Sequence, residues 1–198
     1  MKKTDDTISY ELIVVDNRSK WPTRLLLKRL YKQNYIDKLK FNEKNYLFAA
    51  GNNIASRLAS EDVTHYLLLN SDIRIMSPGW LEKLVSIHPE NGGVSSFGAV
   101  LSDPVRADGY CMLIDRWIYD KYLLDETFEW WWSVTKLESQ VLKEGLGIKA
   151  VANHEQWLHH YGGKSGKGYK DAKGMNVDVS DVIKWFDTEN AVDIIEEL

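Results

Sequence analysis

One group able to do chemistry is Asn70-Ser71-Asp72, which directly follows the apolar run Thr64–Leu69. An aspartate at the tip of a buried strand is a hard oxygen ligand suited to Mg²⁺ or Mn²⁺. Magnesium takes one or two protein carboxylates and completes its shell with phosphate oxygens and water. A turn-forming Asx residue is the alternative reading of the same three residues. A second acid, Asp16, closes another apolar run, Ile8–Val15, inside the polar turn Asp16-Asn17-Arg18-Ser19. Ligands of open α/β sheets bind beyond the carboxyl ends of the strands, so both acids are expected on one edge.

The elements that must hold these acids follow from pattern. Short β-branched or leucine-rich runs bounded by polar turns read as buried strands of a parallel sheet. They fall at Ile8–Val15, Leu39–Phe41, Thr64–Leu69, Val94–Val100, Tyr110–Ile114 and Ile148–Ala152. Between them, Pro22–Tyr31 has leucines at helical spacing behind an early proline. Phe48–Ala59 reads as a small-residue helix, and Pro78-Gly79-Trp80-Leu81 opens another that runs to about His88. Phe128–Gly145 reads as a helix ended by a glycine cap. Tyr161–Gly174 is a basic, glycine-rich loop, and Val179–Leu198 reads as an acidic amphipathic helix or pair of helices. Strands alternating with helices predict an α/β domain with a mostly parallel sheet.

Bulk properties narrow the function. A chain of 198 residues with 44% apolar residues makes one domain with a real core. The net charge of −4 comes from 25 basic and 29 acidic residues, which argues against a nucleic-acid surface. The single cysteine, Cys111, excludes an intramolecular disulfide and suits a reducing compartment. The N-terminus does not read as a signal peptide, and no apolar stretch is long enough to span a bilayer, so a cytoplasmic protein without a transmembrane segment is expected. Eight tryptophans suit sugar rings or a core. There is no P-loop and no GxGxxG, so phosphate handling would fall to a metal.

The residues around Asp72, YLLLNSDIRIMSPGWLEKL, resemble the donor-binding segment of glycosyltransferase family 2, where an acidic motif follows an apolar strand and precedes a Gly-Trp-Leu helix start. ELIVVDNRS resembles the family's base-contacting strand, and FNEKNYLFAAGNNIAS the segment between the two. Downstream, GYCMLIDRWIYDKYLLDETF and VLKEGLGIKAVANHEQWLHHYGGKS resemble its later segments. The five resemblances run in the family's order from about residue 10 to residue 165. Each alone is weak; in sequence they are specific. They imply a GT-A fold, a Rossmann-like sheet flanked by helices, and a nucleoside-diphosphate-sugar donor. They also imply a divalent metal and inversion at the anomeric carbon.

Carried over by position, the resemblance gives Asp16 to the nucleobase, with Asn17 and Ser19 beside it. Asn53, or Asn52, would line the nucleoside side, and helix capping explains either equally well. Asp72 becomes the principal metal ligand and His160 its partner, with His159 a close rival. Lys164 and Lys167 would fold over the diphosphate, or stay solvated in their loop. The sequence departs from the pattern twice. The strand with which the family normally opens is lacking, and ELIVVDNRS matches the second strand better than the first. Where the family carries the Glu-Asp pair holding its catalytic base, an ungapped match puts Ser133 and Val134. Asp125, Glu126 and Glu129 are then the nearby candidates for the base, with a helix-N-terminal acid the bland reading of Glu129. Trp130–Trp132 cannot all face one sugar, because consecutive helical residues point in different directions.

The expectation is therefore a metal-dependent inverting glycosyltransferase of the rhamnosyl or glucosyl type. It would use Mn²⁺ or Mg²⁺ and a UDP- or dTDP-sugar to glycosylate a glycan or glycoconjugate hydroxyl. Residues 1–175 would form the GT-A domain and 176–198 an acidic helical tail leading to any further domain. The alternative in another class is a non-catalytic nucleotide-sugar-binding module of a larger glycan-assembly protein, which Val134 favours. A sugar nucleotidyltransferase would share the sheet but carry a glycine- and arginine-rich loop after its first strand, and none is present.

Overall fold

A computed structural model describes residues 7–162 and 172–197. Its centre is a five-stranded sheet of order β11 (Asp193–Ile195), β9 (Gly147–Val151), β5 (Gly93–Phe97), β8 (Cys111–Asp115) and β3 (His65–Leu69). β5, β9 and β11 run parallel, while β8 runs antiparallel to both β5 and β3. The reversal follows from the connection. The chain leaves β5 into a hairpin of β6 (Ala99–Val100) and β7 (Arg106–Ala107), and no crossover helix intervenes before β8. A parallel return needs a crossover of a dozen residues or more; a short turn brings the chain back antiparallel. The sheet is thus more mixed than its apolar runs imply.

Side chains of β8 sort by the two-residue period of a strand. Met112 and Ile114 enter one core, which includes Ile118 of α4 (Arg116–Tyr122) and Leu137 and Val141 of α5 (Trp132–Lys143). Cys111 and Leu113 enter the other, with Trp80 and Leu84 of α3 (Trp80–Ser86). The central strand β5 is buried throughout, and its two serines are satisfied inside it. Ser95 donates to Leu84 O, and Ser96 to Asp108 O and Cys111 O. The helix foreseen from Phe128 begins only at Trp132 and ends at Gly145, whose φ of +75° is the left-handed cap a glycine supplies.

The C-terminal stretch is not wholly helical as its pattern implied. α6 (Val179–Trp185) begins at an Asp178 cap and buries Val182, and then β11 joins the sheet edge beside β9. Residues 193–195 are short and partly polar, so pairing with an existing edge overrides their weak helical pattern.

The other end of the molecule is less complete. β1 (Ile13–Asp16) pairs in parallel with β2 (Lys38–Phe41), with Ile13 opposite Lys38, and α1 (Trp21–Lys32) joins them. No strand among the described residues pairs with the second edge of β1 or of β3. Leu12 O and Asp16 O accept from the β2 side, so Ile13 and Val15 turn their backbone groups the other way. Asn70 N donates to Tyr110 O and Arg116 N to Thr64 O, so His65, Leu67 and Leu69 turn theirs away from β8. Both free edges line one cavity of about 1930 Å³.

Candidate active site

Asp72 sits in the turn after β3, and the chain then forms a short strand not apparent in the sequence, β4 (Ile73–Ile75). β4 pairs antiparallel with β10 (Leu158–His160), and the register sets His160 opposite Ile73. That pairing brings His160 Nε2 to 3.2 Å from Asp72 Oδ1, while Tyr161 N donates to Asp72 O at 2.9 Å. The Tyr110 ring stacks on His160 at 4.2 Å between centroids, and its hydroxyl bonds to His154 Nε2. The imidazole is therefore held on its face and at one nitrogen. Burial pushes the Tyr110 phenol far above its ordinary range, so it stays neutral.

The same cavity is lined by Asp16, Asn17 and Ser19 on the β1 side and by Asp72 and His160 on the β3 side. Asp16 is buried, accepts from Ser19 N, and has Arg24 Nε at 3.7 Å. Asn17 donates to Leu47 O at the start of α2 (Leu47–Ser56) and accepts from Asn42. A Cβ at Gly51 would lie 2.9 Å from Asn17 Nδ2, which explains a glycine inside that helix.

The remaining expected residues divide. Asn53 is in the core with its amide spent: it donates to Leu124 O and Glu126 Oε1, and accepts from Tyr119 and Leu124 N. Asn52, not Asn53, lines the cavity. None of Asp125, Glu126 and Glu129 belongs to the cavity wall. Asp125 accepts from Thr127 N and Oγ1, Glu126 binds Asn53, and Glu129 accepts from Lys173 N. Each carboxylate thus accepts at least one hydrogen bond from the protein. Val134 does line the cavity, and a Cβ at Gly109 would come within 2.8 Å of it. Trp130 and Trp131 line it as well, whereas Trp132 donates to Met175 O. Lys164 and Lys167 lie outside the described residues.

One acid of the wall was not foreseen. Asp108 follows β7 and is half-buried; burial raises its pKa, and the charge of His160 and the amides of Tyr110 and Gly109 pull it back. In the sequence it looks like half of an Asp-Gly turn, and only the β6–β7 hairpin turns it into the cleft. Nearby, Glu138 is fully buried and its pKa is pushed up to about 8, chiefly by burial; its Oε2 accepts from Ala107 N.

The sequence profile of glycosyl transferase family 2 matches residues 4–144. The chain belongs to glycosyl transferase family 2. Its reaction class is therefore glycosyl transfer, and the family generally uses a nucleotide-sugar donor and a divalent metal. The fold is similar to the catalytic domain of Drosophila β1,4-galactosyltransferase 7, solved in complex with xylobiose. The TM-score is 0.54 at 11% identity, covering 91% of this chain and 82% of that one. No curated protein matches this family 2 chain in sequence. Among the described residues no helix is long and apolar enough to cross a membrane.

Proposed function

We propose that this family 2 chain is an inverting, metal-dependent hexosyl- or deoxyhexosyltransferase. It would take a UDP- or dTDP-sugar as donor and a glycan or glycoconjugate hydroxyl as acceptor. The observation that carries the reading is the Asp72–His160 pair, which shares a cavity with Asp16.

The pair fits a cation. Two ligands on adjacent positions around one ion, each at about 2.1 Å, lie roughly 3 Å apart. Asp72 Oδ1 and His160 Nε2 are 3.2 Å apart, and their side chains are 10% and 25% exposed, open enough for phosphate oxygens to complete a shell. Mn²⁺ or Mg²⁺ held there would neutralise charge on the departing diphosphate. Asp16, with Asn17 and Ser19, would receive the nucleobase at the β1 side.

In this reading Asp108 is the proton acceptor, in place of Asp125, Glu126 or Glu129. The acceptor hydroxyl oxygen bonds to the anomeric carbon from one face. The bond from that carbon to the diphosphate oxygen breaks on the opposite face and leaves its electron pair on the diphosphate. The hydroxyl proton passes to the Asp108 carboxylate. A base with a raised pKa works well near neutral pH, and burial provides that rise here. Trp130 and Trp131 are available as stacking faces for the acceptor.

The test is calorimetry of the chain against a panel of UDP- and dTDP-sugars with Mn²⁺, with Mg²⁺ and with chelator, followed by a transfer assay. Binding that requires the metal and is lost in Asp72→Ala is the expected outcome; metal-independent binding overturns it. The burial of Val134 beside Gly109 favours a second reading, a donor-binding module without transfer. That reading predicts donor binding with neither transfer nor donor hydrolysis.

A further inference from the structure

At the opposite end of β3 from Asp72, three side chains converge that are separate from the residues assigned above to glycosyl transfer. His65 opens β3, Asp115 closes β8 directly across the ladder from it, and His88 follows α3. One ligand atom from each lies within 4.8 Å of the others. His88 Nε2 is 2.9 Å from Asp115 Oδ2, and His65 Nε2 is 3.6 Å from Asp115 Oδ1. The two rings meet edge to face at 5.0 Å. Four steps of strand rise, about 13 Å, separate His65 from Leu69 alone, so this group is distinct from the Asp72 end.

The far nitrogen of each ring is also held. His65 Nδ1 is 2.8 Å from Thr64 Oγ1, and His88 Nδ1 is 3.0 Å from Ser95 Oγ. Metal-binding histidines characteristically have their second nitrogen fixed this way, which sets the tautomer and aims the other at the ion. His88 Nε2 faces Asp115, whose Oδ2 also accepts from Gly93 N at 2.7 Å, so the ring nitrogens and the carboxylate lie within reach of one ion.

We propose that His65, His88 and Asp115 form a second metal site, selective for Zn²⁺ or a similar transition ion. Water would complete its shell on the side where His65 is exposed. Two imidazoles and one carboxylate suit zinc, and they do not suit the oxygen-seeking magnesium expected at the diphosphate. The three ligands come from β3, β8 and the α3–β5 connection, so the ion ties that connection to the sheet.

The experiment uses the full chain, stripped with chelator and titrated with Zn²⁺ and with Co²⁺ alone. The expected result is one equivalent bound, with the visible absorption of four-coordinate Co²⁺, and a rise in Tm on loading. Asp72→Ala retains that signal. His65→Ala removes it, and Thr64→Val, which only frees the second nitrogen, weakens affinity by about tenfold or more. His65 is partly exposed, so its replacement leaves the fold intact for comparison by circular dichroism. Absence of Zn²⁺ binding in the wild type overturns the proposal, as does a Co²⁺ spectrum unchanged in His65→Ala. Because donor binding is read separately, failure here leaves the Asp72 reading standing, and the reverse holds too.

Discussion

The half of the molecule around β5, β8 and β9 and the half around β1, α1 and β2 start from similar sequence and end very differently. Both contain apolar strand runs, Cys111–Ile114 in one and Ile13–Val15 in the other. The first run is fully buried and the second only partly so. α5 buries eight residues, from Ser133 to Leu142, whereas α1 buries none and leaves Trp21, Leu25 and Leu26 more than half exposed. The contrast shows that an apolar run specifies a strand, while its neighbours decide how much free energy it contributes. The cleft lies where the halves meet, with Asp72 and Asp108 on the packed side and Asp16 on the loose side.

The largest expected effect is on chemistry at the packed wall. Asp108→Asn should lower the transfer rate by about 10²–10⁴-fold while donor affinity is retained, because a general base acts mainly in the transition state. Steady-state kinetics beside calorimetry reads this; an unchanged rate removes Asp108 from the reaction. Next in size is the core itself. Ile114→Ala should cost about 2–5 kcal/mol in urea denaturation, since it empties space between packed elements.

A smaller, pH-dependent effect belongs to Glu138. Its folded pKa, about 8, lies above the value in the unfolded chain. The folded state therefore holds a proton that the unfolded state has released, and stability falls as pH rises between the two values. The slope is at most about 1.4 kcal/mol per pH unit, and Glu138→Gln should flatten it. A wild-type curve already flat from pH 5 to 8 would contradict the assignment. The smallest effect is expected on the loose side, where Leu26→Ala should change stability by less than about 0.5 kcal/mol. A loss comparable to that of Ile114→Ala would abolish the contrast between the halves.

Much of the frame was legible in the sequence. The strand before Asp72, the helix after Gly79 and the glycine that ends α5 are local signals, and local physics decides them. What escaped depends on pairing across long separations. β4 and β10 are three residues each, too short for a periodic signal, yet their ladder is what sets His160 against Asp72. Glu129 was a candidate base because it lies near the position of the family's Glu-Asp pair, and its carboxylate accepts from Lys173 N, 44 residues away. Asp108 carried only the pattern of an Asp-Gly turn. Its side is chosen by a hairpin whose strands have two residues each.

The edges of β1 and β3 that no described strand pairs have a colloidal consequence. Backbone amides and carbonyls of Ile13, Val15, Leu67 and Leu69 face a slot walled by aliphatic side chains, and such edges template pairing with any extended polypeptide they meet. A net charge of −4 spread over 198 residues supplies only weak mutual repulsion. Purified alone, the chain should scatter more light per unit mass as it is concentrated, and more so in high salt, where that repulsion is screened.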